Sequence, residues 1–274
     1  MTYKTLLVHV EPTGDSDLRL RIAVDLARQI DATLIGVGGS EPLHLDNPML
    51  STDYIDATLA QILADLETEN LAAAEARFRD ATKSMGAKAT WCSVRDYPDR
   101  ALQHLAAGAD LIVASARRGL KASTAAAADL VLRAGIPILT IPPDLPAIRT
   151  KSIVVAWKNT REARRAVSDA LPFLIAADEV TVVHVCPADQ MGEVHSGLSD
   201  VVSRLERHGV KARPKTLEGR ADEGFPVLTT FAEAQRADLI VAGAYGHSRL
   251  GEWLLGGVTH NLLEHSLRPV LFSH

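Results

Sequence analysis

Short apolar runs alternate along the chain with longer stretches in which apolar residues recur every three or four positions. This is the pattern of parallel strands joined by crossover helices, with helices on the faces of a sheet. In the first half it predicts strands near 4–10, 33–37, 88–93, 110–115 and 137–141, and helices near 16–30, 55–84, 98–107 and 125–134. In the second half it predicts strands near 151–157, 179–186, 211–217, 238–243 and 269–273, with helices near 161–176, 198–208, 225–236 and 259–267. Pro172 falls inside one of these and predicts a bend there. The long helix of the first half carries Ile55, Leu59, Ile62 and Leu66, then Leu71, Phe78 and Met85, and reads as an amphipathic helix covering a sheet.

The pattern is a repeat. Lys4-Thr5-Leu6-Leu7-Val8-His9-Val10 matches Lys151-Ser152-Ile153-Val154-Val155-Ala156-Trp157 at an offset of 147. Asp110-Leu111-Ile112-Val113-Ala114-Ser115 matches Asp238-Leu239-Ile240-Val241-Ala242-Gly243 at an offset of 128. Leu130 to Leu139 matches Leu262 to Leu271 at an offset of 132, with Pro137 opposite Pro269. The matches are collinear, as a duplicated domain requires. Pro142-Pro143-Asp144-Leu145-Pro146 can continue neither a helix nor a central strand, so it reads as the linker between domains at 1–143 and 144–274.

Composition narrows the function classes. With 274 residues, 47% hydrophobic and 23% charged, each half can bury a core, and disordered or fibrous readings fall away. Twenty-nine Lys and Arg against 34 Asp and Glu give a net charge of −5, and the basic residues are dispersed. That argues against nucleic acid and against a membrane surface as partners. The longest stretch without a charged residue, Trp253 to Leu263, is far shorter than a membrane span, and Met1 to Val10 reads as a strand rather than a leader. A cytoplasmic location is expected, with Cys92 and Cys186 as reduced strand-end residues.

Gly243-Ala244-Tyr245-Gly246 follows the fourth strand of the second half, and nine residues later Gly256-Gly257-Val258-Thr259 opens a helix. A glycine at a strand's carboxyl end lets the backbone turn and approach a ligand closely. The unpartnered amides at a helix start attract phosphate oxygens, and ligands of open α/β sheets lie beyond the carboxyl ends of the strands.

On these residues the chain resembles the universal stress protein family, specifically its tandem members, over essentially its whole length. The family's nucleotide loop is G-x-x-G, nine residues, then G-[S/T], which here reads Gly243-x-x-Gly246, nine residues, Gly256-Gly257. His184-Val185 is similar to the segment whose backbone meets the adenine, and Gly219-Arg220 sits where the family places a Gly before its third helix. The resemblance implies two repeated open parallel-sheet α/β domains of strand order 3-2-1-4-5, of the adenine nucleotide alpha hydrolase-like kind. It implies ATP or a related adenine nucleotide, with or without Mg, as ligand, and a role in stress response or signalling. The implied nucleotide-binding residues are Ala156, Trp157, Lys158, Val185, Gly243, Gly246, His247, Gly256, Gly257, Val258 and Thr259. Single-domain members dimerise through the last strand, so Pro137 to Ile141 and Pro269 to Ser273 are expected to satisfy one another as an intramolecular pseudo-dimer, with a homodimer as a further assembly.

The halves depart from the family pattern in opposite ways. Where the family carries an Asp at the end of the first strand, the second half has Lys158, which either contacts phosphate as a point charge or is solvated. Gly257 replaces the Ser or Thr, keeping an amide but losing a hydroxyl, while Thr259 retains one nearby. The first half keeps an acid, Glu11, but has lost the glycines: Ser115 stands for Gly243, Arg118 for Gly246, and the loop before Thr124 and Ala125 is four residues shorter. Its Arg117, Arg118 and Lys121 read as a solvated cluster rather than an anion site.

Other chemistries lack a motif. The ten histidines show no metal-ligand spacing, and His9 and His184 read as hydrogen-bonded structural residues in strands. There is no GxSxG elbow or GxxxxGK[ST] loop, and Glu252 reads as a surface residue, so no catalytic and no metal-binding residue is assigned. The expected function is binding of ATP by the second domain as a regulatory ligand. The alternative is a nucleotide-independent scaffold that docks an unknown protein partner in stress signalling. Slow hydrolysis would need a metal for which Lys158 offers no ligand.

Overall fold

The computed structural model describes residues 2–39, 57–116, 127–220, 222–245 and 257–274. Its elements run β1 (Thr5–His9), α1 (Asp17–Gln29), β2 (Thr33–Gly39), α2 (Ala57–Ala81), β3 (Ala89–Val94), α3 (Pro98–Leu105), β4 (Leu111–Ser115), α4 (Ala127–Arg133) and β5 (Ile138–Ile141). They continue β6 (Ser152–Ala156), α5 (Arg161–Asp169), α6 (Leu171–Ala176), β7 (Glu179–Cys186), α7 (Met191–Arg207), β8 (Ala212–Glu218), α8 (Gly224–Ala234), β9 (Leu239–Gly243), α9 (Gly257–His265) and β10 (Val270–Ser273). Alternating strands and helices in the same order twice over confirm the α/β fold read from the sequence.

Contacts group the described residues into two compact units: one holds Lys4–Ala114, the other residues 127–274 with 2–3 and 115–116. In the first, the strands run β3-β2-β1-β4, all parallel. In the other, β8-β7-β6-β9-β10 is parallel throughout and reproduces the 3-2-1-4-5 order within the second repeat. The central strands are continuous apolar runs because helices cover both faces: Leu6, Leu7, Val8, Leu111, Ile112 and Val113 are buried, as are Ile153, Val154, Val155, Leu239, Ile240 and Val241.

The repeated Asp of the fourth-strand motif has a structural task. Asp110 Oδ2 accepts the backbone N–H groups of Lys4 and Thr5 at 2.7 and 2.9 Å. Asp238 Oδ2 accepts those of Lys151 and Ser152, both at 3.0 Å. Each carboxylate thereby ties the start of its repeat's first strand to the start of its fourth.

β10 also pairs antiparallel with β5, with Val270 opposite Thr140, Leu271 opposite Leu139 and Phe272 opposite Ile138. Thr140 Oγ1 donates to the Val270 carbonyl at 3.2 Å, and every residue of both strands is buried. The apolar last strands of the two repeats thus supply each other's ladder partners.

Three helices differ from the sequence reading. The segment predicted at 161–176 is two helices, α5 and α6, separated at Ala170, because Pro172 cannot donate to the preceding turn. α7 begins at Met191 rather than near 198, its first turns carrying Gly192 and Gly197 and no apolar stripe to announce them. The largest correction concerns α2. Phe78 lies on β2, where a Cβ at Gly36 would overlap its ring, and Leu71 rests near Gly38, so the carboxyl-terminal part of the helix covers the sheet. Leu59, Ile62 and Leu66 do not: they are 43, 50 and 49% exposed. Met85 lies beyond the helix end in a half-buried turn, and Ile55 lies outside the described residues.

Candidate functional site

At the carboxyl end of β6 the chain leaves the sheet through Trp157, whose N–H donates to the Val183 carbonyl at 2.7 Å, holding this strand end against β7. Ala156 and Trp157 are half-buried and Lys158 is exposed. Thr160 then caps α5, its hydroxyl accepting the N–H of Ala163 at 3.3 Å. Lys158 acts on β7: burial lowers the pKa of His184, and the Lys158 charge lowers it further. The imidazole beside this strand end is therefore neutral near pH 7.

Glu162, on the first turn of α5, is an acid that the sequence reading passed over. Its carboxyl is buried, which alone would raise its pKa, but its own backbone N–H, the Thr160 hydroxyl and Arg161 outweigh that and hold it below the ordinary range. The signal was a Thr two residues ahead of a Glu just beyond a strand, which marks a helix start but not burial.

The glycines serve distinct purposes. A Cβ on Gly243 would come within 2.5 Å of Ala163 N and Glu162 C, so this glycine lets the backbone of α5 close onto the end of β9. A Cβ on Gly219 would come within 2.8 Å of Val185 Cγ1, and the Gly219 N–H donates to Cys186 at 3.1 Å. Val185 therefore packs its half-buried side chain against Gly219. Val258 likewise faces Gly224, where a Cβ would meet its Cγ2 at 2.9 Å. Gly257, the first residue of α9, has open space where a Cβ would sit. Thr259 is buried, its hydroxyl accepting the Tyr245 N–H at a long 3.5 Å, so this hydroxyl faces the start of the glycine loop.

Tyr245 holds the backbone in the left-handed region with φ of 61°, a conformation that strains a bulky residue by about 1 kcal/mol or more. Its phenol oxygen is buried without a hydrogen-bond partner among the described residues, and its ring stands edge-on to His274 at 6.3 Å. Burial, Asp129 and Glu264 together push its pKa up. Gly246, His247 and Gly256, with Arg117, Arg118, Lys121, Thr124, Ala125 and Glu252, lie outside the described residues.

The first repeat presents a different strand end. Glu11 and Arg19 are both buried, with their charged groups 3.7 Å apart, and the Arg19 guanidinium donates to the His9 carbonyl from Nε and Nη2 at 3.1 and 2.9 Å. The Glu11 N–H donates to the buried Ser16 hydroxyl at 3.0 Å. His9 was expected to be hydrogen-bonded. Instead its Nδ1 is buried without a partner among the described residues, and burial, reinforced by Arg19, lowers its pKa to about 3. At the offset of 147, His9 and Arg19 correspond to Ala156 and Ala166. Two bulky side chains in one repeat thus stand against two methyl groups in the other.

The two cysteines are free, and burial, aided by Asp189, raises the Cys186 thiol pKa. No group of three or more metal-ligating side chains forms among the described residues. A cavity of about 470 Å³ lined by Pro142, Pro146, Arg149, Arg268 and Pro269 opens at the amino ends of β9 and β10, away from Gly243. No helix among the described residues is long and apolar enough to cross a membrane.

The sequence profile of the universal stress protein family matches residues 149–274. These residues are a universal stress protein domain. Curated relatives agree. The chain is 30% identical over 136 residues to universal stress protein Slr1230 of Synechocystis, covering 49% of this chain and 46% of that protein. It is 32% identical over 79 residues to universal stress protein MJ0577 of Methanocaldococcus jannaschii, covering 29% of this chain and 47% of that one. The chain thus spans about half the length of the curated relatives it matches. For the whole chain, a universal stress protein of Archaeoglobus fulgidus superposes with a TM-score of 0.72 at 15% identity, covering 98% of this chain and 95% of that one. A further one from Pseudomonas aeruginosa gives 0.60 at 18% identity, covering 99 and 93%. Those identities speak for the fold, which the first repeat shares with the universal stress protein domain that follows it.

Proposed function

We propose that the universal stress protein domain binds an adenine nucleotide, ATP or a close relative, beyond the carboxyl ends of β6, β7 and β9, as a regulatory ligand in a stress response. The observation that carries this reading is the contrast at the first strand of each repeat. Where His9, Glu11 and Arg19 form a buried network in one repeat, Ala156, Lys158 and Ala166 stand in the other. Ala156 and Trp157 supply backbone at the strand end, Val185 backbone for the base, and Lys158 an exposed positive charge suited to phosphate. The open first turn of α9 at Gly257, followed by the amides of Val258 and Thr259, supplies donors for an anion. These groups orient and neutralise a triphosphate; none is a base placed for attack by water, and the reading is binding rather than turnover. The internal β5–β10 pair takes the place of a dimer contact, so that one chain carries one nucleotide-binding and one filled repeat.

Mass spectrometry of small molecules released from the denatured, freshly purified protein tests the ligand, and calorimetry with ATP tests the number of sites. An adenine nucleotide and at most one site per chain are expected. Two equivalent sites, or no affinity for any adenine nucleotide, would overturn the reading.

A further inference from the structure

The two repeats handle their second crossover helix differently. α7, with 17 residues, buries Leu198, Val201, Val202 and Leu205. α2, with 25 residues, buries Ala74 and Phe78 in its carboxyl-terminal part, while its amino-terminal turns run on with Leu59, Ile62 and Leu66 on one face. These three are half of the exposed large hydrophobic residues among the described positions. A single exposed Leu needs no explanation, but three at helical spacing form a stripe that loses free energy in water. The flanks of the stripe are acidic. Between Ala57 and Ala76 there is no Lys or Arg, whereas Asp65, Glu67, Glu69 and Glu75 fall within it, the last paired with Arg79 beyond the stripe. Glu67 lies 3.8 Å from Arg95, but Asp65 and Glu69 have no ion-pair partner among the described residues, and the Asp65 carboxylate accepts only the Gln61 side-chain amide, at 2.8 Å.

We propose that this face of α2 docks a basic amphipathic helix of another protein: apolar residues at three- and four-residue spacing against Leu59, Ile62 and Leu66, and flanking Lys or Arg against Asp65 and Glu69. The charge pattern selects this occupant. A second copy of the same helix would bring unpaired carboxylates against carboxylates, and an anionic membrane would meet the same repulsion, whereas basic flanks neutralise both acids. The surface belongs to the first repeat and is independent of the nucleotide reading.

The test uses the full chain and two synthetic helical peptides of about 18 residues with identical Leu stripes, one flanked by Lys and one by Glu. Fluorescence anisotropy should show the Lys peptide binding at least about tenfold more tightly, with affinity falling as salt rises. Ile62→Ser with Leu66→Ser, both at exposed positions, should remove that binding without lowering the thermal midpoint. Asp65→Lys with Glu69→Lys should reverse the preference toward the Glu peptide. Leu66→Cys should react with a thiol reagent rapidly in the free chain. Equal binding of both peptides, or undiminished binding by the Ser variant, would overturn the proposal. A wild-type dimer that the Ser variant dissociates would assign the stripe to a second copy instead. Slow labelling at Leu66→Cys would show that the chain itself covers it.

Discussion

At the end of its first strand, each repeat solves the same problem with different chemistry. In the first, Glu11 and Arg19 are buried together, and the guanidinium also closes over the His9 carbonyl. A charge taken out of water is tolerable only if paired and hydrogen-bonded, so this network is built to stay closed. In the second, the corresponding positions carry Ala156, Lys158 and Ala166, and the charge is left in solvent. The two repeats share a fold, and three differing side chains leave the first strand end closed by a buried ion pair and the second with its charge exposed. Keeping an acid at the family position, as Glu11 does, says nothing about binding if an arginine is buried against it.

The comparison can be broken most severely at the joint between the repeats. Leu271 is fully buried between β5 and β9. Leu271→Lys in the full chain should leave little folded protein, read by circular dichroism, because the ammonium has no partner there. Residues 150–274 alone, which leave the edge of β10 without β5, should sediment as a dimer. A truncated domain that remains a monomer at high micromolar concentration would contradict the pairing argument.

Next come exchanges at the strand ends. Arg19→Ala leaves Glu11 buried without its counter-charge and should cost about 3–5 kcal/mol in denaturant unfolding, whereas Ala166→Arg should chiefly abolish ATP binding. Gly243→Ser, the residue of the first repeat, forces a Cβ into the α5 backbone and should weaken ATP binding at least about tenfold by calorimetry. Unchanged affinity in both Ala166→Arg and Gly243→Ser would remove the structural basis for a single site.

An effect confined to acid pH follows from His9. The folded pKa of His9 is depressed to about 3 from 6.5, so below pH 6.5 the unfolded chain takes up a proton that the folded chain refuses. Its contribution to stability is fully present above pH 6.5 and is lost as pH falls toward 3, with a slope of up to about 1.4 kcal/mol per pH unit. His9→Ala, the residue of the second repeat, should flatten that part of the stability profile, and a profile of unchanged slope would show that the ring is not buried neutral. The smallest effect is at Lys158. Because it is exposed, Lys158→Asp should alter affinity only a few-fold, about 1 kcal/mol or less, while introducing a dependence on Mg²⁺ in a titration with and without chelator.

How much of this was legible beforehand depended on whether the property was local. The repeat, the strand positions and a bend at Pro172 follow from the sequence, because a strand buried on both faces must be an uninterrupted apolar run and a proline removes a donor wherever it sits; the pairing of the last strands was implied only by the resemblance to the universal stress protein family. Gly243 was found for a partly different reason than its observed one: the spacing flagged a loop, and the fold shows a helix backbone against the glycine. Glu162, by contrast, looked like any acid in a first helical turn, and Arg19 like any arginine on an amphipathic helix. The spacing of Leu59, Ile62 and Leu66 marked an apolar face correctly yet could not say what that face meets. Periodicity along a chain fixes which side of a helix is apolar, whereas burial is set by residues far away in sequence: Glu11 and His9 around Arg19, β2 beneath Phe78 and no described residue over Ile62. Only the tertiary structure could decide which charges go inside and which apolar stripe is left in water.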